Sequence, residues 1–78
     1  MTNTINIDFT AERTQNGMRI TNLDANKLVV VEDGIVTGGW GFTAYGAELV
    51  AKAAARHLDM CAGDRVEVDM KIDPRNIR

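Results

Sequence analysis

The run TGGWGFTAYG, Thr37 to Gly46, decides how the rest of the chain is read. It follows a β-branched stretch and opens onto an alanine-rich one. Within it, Gly39-Trp40-Gly41-Phe42-Thr43-Ala44 matches the pattern G-x-G-x-x-A. Between a strand and a helix this pattern is the fingerprint of a dinucleotide-binding unit, whose helix N-terminus faces a pyrophosphate. That fold needs successive βαβ units and a topological switch point. This sequence offers one helix only, and its acidic residue about 20 positions on, Asp59, falls at the end of that helix. The fingerprint is therefore rejected and no cofactor is expected. The glycines are assigned to the passage from strand to helix.

Upstream, Leu28 to Val31 is a continuous apolar run suited to a central strand. Asp33-Gly34 is a two-residue hairpin signal, and Ile35-Val36-Thr37 is its return. This register places Gly38 and Gly39 opposite Val29 and Leu28, where glycine leaves room or marks a bulge. Earlier, Ile5, Ile7 and Phe9 alternate with polar residues, the period-2 pattern of a half-buried strand. Asn16-Gly17 suggests a type I′ turn into Met18-Arg19-Ile20-Thr21. Asp24-Ala25-Asn26 reads as a loop.

Downstream, Thr43 to Leu58 is a helix, rich in alanine, with Thr43 as cap and Glu48 four residues before Lys52. Its wheel puts Glu48, Lys52, Arg56 and Asp59 outward and Gly46, Val50, Ala53, Ala54 and His57 toward the sheet. Ala62-Gly63 looks like a helix stop. Val66, Val68, Met70 and Ile72 then alternate with Glu67, Asp69 and Lys71 in a last strand ended by Pro74. The tail, Asp73 to Arg78, is expected to fray. The fold expected is α+β: an antiparallel sheet of four or five strands covered on one face by a single helix, in the order ββ(ββ)αβ.

The 78 residues make one domain, 1–78, with net charge −2 and 26% charged residues. The single cysteine, Cys61, excludes a disulfide within the chain and suits a reducing cytoplasm. The N-terminal MTNTINIDF has neither the basic stretch nor the apolar run of a secretory signal, and no segment suits a membrane span. The acidic balance argues against direct nucleic-acid binding.

The chemistry on offer is thin. His57 and Cys61 lie one helical turn apart, but a nucleophilic pair needs a third, orienting group, and none is identifiable. The chain has no serine. One histidine and one cysteine cannot complete a zinc site, and no acidic spacing resembles a calcium loop. No catalytic residue and no metal are expected, and the chain is read as a non-enzyme.

Three surface features remain. Asp64, Glu67, Asp69 and Asp73 cluster around the last strand, either as an ordinary solvated face or as an acidic ridge for a basic protein surface. Trp40 is read first as a partly buried core residue, and otherwise, with Tyr45, as an aromatic anchor for a partner. Ala47, Ala51 and Ala55 repeat every four residues, which either favours helix or admits a second copy at close range as a self-association surface.

In size, acidity and meander–helix–strand order, with LVVVEDGIV and RVEVDMKI flanking the alanine helix, the chain resembles small phage-encoded anti-CRISPR proteins. The resemblance implies a protein of the host bacterial cytoplasm that blocks a basic, nucleic-acid-binding surface of a defence effector complex. Glu67, Asp69 and Asp73 would then make charged contacts, with Trp40 and Tyr45 as anchors. The alternative is a small nucleic-acid-binding regulator or antitoxin-type module, with Arg13, Arg19 and Lys27 as its basic face and Arg75 and Arg78 assisting. A more distant reading makes the Gly39–Ala44 turn a small-ligand site.

Overall fold

The computed structural model describes residues 3–22 and 26–78. Strands β1 (Ile5–Arg13), β2 (Gly17–Asn22), β3 (Leu28–Glu32) and β4 (Ile35–Trp40) lead into one α-helix, α1 (Ala44–Met60). Strand β5 (Arg65–Ile72) follows, and a short 3-10 helix, Pro74–Asn76, closes the chain. The five strands form one sheet in the order β4-β3-β2-β1-β5, antiparallel at every pairing. The meander runs outward from β1 to the edge at β4, and the helix carries the chain back so that β5 pairs with β1. This is an α+β architecture with helix on one face of the sheet.

Alternation makes the core. Ile7, Phe9 and Ala11 of β1, Ile20 of β2, Val29 and Val31 of β3, and Val68 and Ile72 of β5 are buried against Val50, Ala51, Ala54 and Leu58 of α1. The helix contributes mainly small side chains, so it lies close to the sheet and the strand residues fill the layer. Each large apolar side chain so buried contributes about 1.5–3 kcal/mol.

The helix is rotated relative to the wheel drawn from sequence. Glu48, Lys52, Arg56 and Asp59 are exposed as expected, but Ala51 is only 9% exposed and belongs to the core, with Ala47 and Ala55 packed against it. Leu58, 2% exposed, fixes the buried face. With Ala51 it turns that face by about 50° from the one drawn from the sequence. Ala51 of the repeat is thus taken up by the chain's own core, while Ala47 and Ala55 are half-buried beside it.

One of the two hairpin turns matches its sequence signal and the other does not. Asp33 and Gly34 have φ of 53° and 81°, and Glu32 pairs with Ile35, as a type I′ turn requires. Neither Asn16 nor Gly17 takes a positive φ. Arg13 pairs with Met18, and the Thr14 N–H reaches the Gly17 carbonyl at 2.9 Å, so the loop is wider than a two-residue turn. Gly17 instead serves close approach, because a Cβ there would collide with the Val31 carbonyl. In β4 a bulge at Thr37 shifts the expected register by one: Val31 faces Val36, Val30 faces Gly38 and Val29 faces Gly39. Of the Asp24-Ala25-Asn26 loop, Asp24 and Ala25 lie outside the described residues. Asn26 exchanges side-chain and backbone hydrogen bonds with Asn22 at 2.7 and 3.1 Å.

Where the sequence suggests fraying, the tail is hydrogen-bonded to the body of the fold. Asp73 caps the 3-10 helix, Ile77 bridges to Phe42, and the Arg78 N–H donates to the Gly41 carbonyl at 3.0 Å. Pro74, read as a terminator, also serves as the first residue of this turn, where its missing N–H is not needed. The tail thus locks the passage between β4 and α1. Among the described residues no helix is long and apolar enough to cross a membrane.

Candidate protein-binding surfaces

The face of the sheet opposite α1 is open. Alternation along β5 sends Glu67, Asp69 and Lys71 to that face, as the sequence pattern requires, and all three are exposed. Strand β1 supplies the facing row. Asn6 is opposite Lys71, Asp8 opposite Asp69, Thr10 opposite Glu67 and Glu12 opposite Arg65. Arg65 and Glu12 form an ion pair at 3.3 Å. Between these end rows, Asp8, Glu67 and Asp69 surround a shallow depression of ≈ 300 Å³ and take part in none of the ion pairs among the described residues. Asp8 carries no signal in the sequence, where it is one polar residue of an alternating strand. Only the pairing of the first strand with the last brings it to Asp69.

The other two acidic residues of the expected ridge are engaged elsewhere. Asp64 lies in the turn before β5, with its carboxylate 3.9 Å from Arg13 Nε. Asp73 accepts the Arg75 N–H at 2.9 Å and the Arg75 guanidinium at 2.8 Å. The side-chain hydrogen bond from Arg75, followed by the backbone one, holds the Asp73 carboxyl below the usual carboxylate range and raises Arg75 in turn. Asp73 therefore organises the tail.

Trp40 is not a core residue. It ends β4 with 59% of its surface exposed, and Tyr45, in the first turn of α1, is 62% exposed. Gly39 beside it has φ of 137°, and a Cβ there would meet the Leu28 carbonyl. The glycines thus let β4 leave the sheet against β3 and enter the helix. Trp40 and the acidic residues are not neighbours: β4 and β5 are the two edges of the sheet, about 19 Å apart at the usual strand spacing.

The helix N-terminus offered to a small ligand is already filled. Thr43 Oγ1 accepts the Gly46 N–H at 3.0 Å, and the Thr43 N–H donates to the Asn76 carbonyl at 2.9 Å. His57 Nδ1 lies 2.8 Å from the Ala53 carbonyl, which only accepts, so this nitrogen carries the proton and is committed within the helix. Cys61 is exposed and caps the helix C-terminus through its backbone N–H. Of the cations proposed for a nucleic-acid face, Arg13 donates to the Leu58 carbonyl at 3.1 Å beside Asp59, and Arg75 is paired with Asp73. Arg19 faces Glu12 across the sheet.

Comparison with known proteins gives no match to a family model, a curated protein or a solved structure.

Proposed function

We propose that the chain is a non-enzymatic protein-binding module whose open sheet face, around Asp8, Glu67 and Asp69, docks on a basic surface. One observation carries this reading: Asp8 and Asp69 stand directly opposite each other on an exposed face. Like charges in that position destabilise a sheet. A fold gains nothing from the pair, whereas a cationic partner surface would turn the repulsion into attraction and set both orientation and association rate. The resemblance in architecture extends the proposal to an inhibitor that occupies a nucleic-acid-binding surface of a bacterial defence complex in the host cytoplasm. The shape of the site suits this: a shallow acidic depression, rather than a deep cleft, is what a protein surface rich in Lys and Arg would cover. A nucleic-acid-binding role draws less support, because Arg13 and Arg75 are already paired with carboxylates.

The test is pull-down from bacterial lysate with wild type, Glu67→Lys and Asp69→Lys, beside thermal unfolding of each. The expected result is lost capture, with the melting temperature nearly unchanged for Glu67→Lys and raised for Asp69→Lys, where the new ammonium faces Asp8. Capture by the lysine variants at wild-type level would refute the acidic face as the docking surface.

A further inference from the structure

We propose that β4 is the interface of a symmetric homodimer, in which two copies join antiparallel through β4 into one continuous sheet. The two edges of the sheet are built differently. Strand β5 carries Arg65, Glu67, Asp69 and Lys71, the kind of charges that discourage pairing with another chain. From Ile35 to Trp40, β4 has no charge and no proline, and Ile35 (66%) and Trp40 (59%) are exposed at its two ends. Among the described residues, no strand pairs with its outer backbone edge. A groove of ≈ 370 Å³ runs beneath it, between Ile35, Val36 and the α1 residues Glu48, Ala51 and Lys52.

The bulge makes the strand self-complementary. Ile35 and Trp40 are an odd number of positions apart, so in a regular strand they would point to opposite faces. The extra residue at Thr37 resets the alternation. Ile35, Gly38 and Trp40 share rows with Glu32, Val30 and Leu28, while Val36 and Gly39 share rows with the buried Val31 and Val29. A two-fold axis between Thr37 and Gly38 then sets Ile35 opposite Trp40 of the second copy, twice, on the same face. Val36 meets Gly39 of the second copy, and both belong to the same backbone bonding set, as an antiparallel pair requires.

Charge complementarity selects a second copy as the occupant. The hairpin tip beside Ile35 is acidic, with Glu32 and Asp33, and Lys27 packs against Gly41 just beyond Trp40. The two-fold axis sets the acidic tip of each copy at the same end of the seam as Lys27 of the other. The acidic β1–β5 face stays at the far edge of each protomer, so this proposal stands independently of the docking reading above.

Sedimentation velocity from low to high micromolar concentration tests it, with wild type, Ile35→Glu, Trp40→Lys and the combined variant. Wild type should pass from monomer to dimer, with the emission of Trp40 shifting to the blue over the same range. Each single substitution should weaken dimerisation by at least about tenfold, because a charge faces an apolar side chain. The combined variant should restore the dimer, since the introduced carboxylate of one copy then faces the introduced ammonium of the other. Both positions are exposed, and circular dichroism checks that the fold is kept. Wild type monomeric throughout, single variants that dimerise like wild type, or a combined variant that stays monomeric would each overturn the proposal.

Discussion

The carbonyl oxygen of Asn76 accepts both the N–H and the Oγ1–H of Thr43, at 2.9 and 3.3 Å, so the last turn of the chain sits on the first residue of the helix cap. Gly46 makes this possible, because a Cβ at that position would collide with the Asn76 backbone. Replacing a helical glycine with alanine ordinarily stabilises by about 1 kcal/mol. Gly46→Ala should instead lower the melting temperature, and should speed amide exchange at Ile77 and Arg78 as the tail lifts. A stabilised Gly46→Ala variant with a protected tail would show that the contact does not hold the tail.

Ala51 lies under the sheet, and a carboxylate there would be buried without a partner. Ala51→Glu should cost about 3 kcal/mol or more, whereas Lys52→Glu, one residue on and exposed, should stay within about 1 kcal/mol. Denaturant unfolding of both variants measures the contrast directly. Equal effects at the two sites would mean that the buried face of the helix is not the one described.

Trp40 and Leu58 should behave in opposite ways. At low micromolar concentration, Trp40→Ala should change stability by about 1 kcal/mol or less, as for a surface residue. Leu58→Ala removes a fully buried side chain and should cost about 2–5 kcal/mol. Urea midpoints for the two variants give the comparison.

Asp73 links the tail to pH. Its carboxyl is held low in the folded state by Arg75, so its contribution is complete above the ordinary carboxylate range. That contribution is lost as pH falls through the lowered folded value. An NMR titration of Asp73 should have its midpoint below that of an unpaired aspartate, with the Ile77 amide signal moving over the same range. Arg75→Ala should shift the midpoint back up. An unshifted midpoint in wild type would mean that the pair does not form in solution.

The strands and the helix were legible because they rest on local signals: the alternation in β1 and β5, the Asp33-Gly34 turn, and the alanine run capped by Thr43. What failed was non-local. Nothing near Asp73 announces that the tail will dock on Gly46, because the partner that orders it lies far back in the chain. The Thr37 bulge is an irregularity of pairing that composition does not encode, and it moved the glycines by one row. Trp40 read as core because large aromatics usually are, yet its exposure depends on β4 being an edge. Of the acidic site, Glu67 and Asp69 follow from alternation, while Asp8 needs the β1–β5 register.

On the proposed reading, the Asp8–Asp69 pair serves binding at a cost to the fold. The most direct measurement is therefore Asp69→Asn, with stability by chemical unfolding and capture by pull-down on the same protein at low salt. Relief of the cross-strand repulsion should raise stability by up to about 1 kcal/mol, with the gain shrinking as salt screens the pair, while capture of the partner falls. Stability that is unchanged or lower, or capture that is undiminished, would contradict the account.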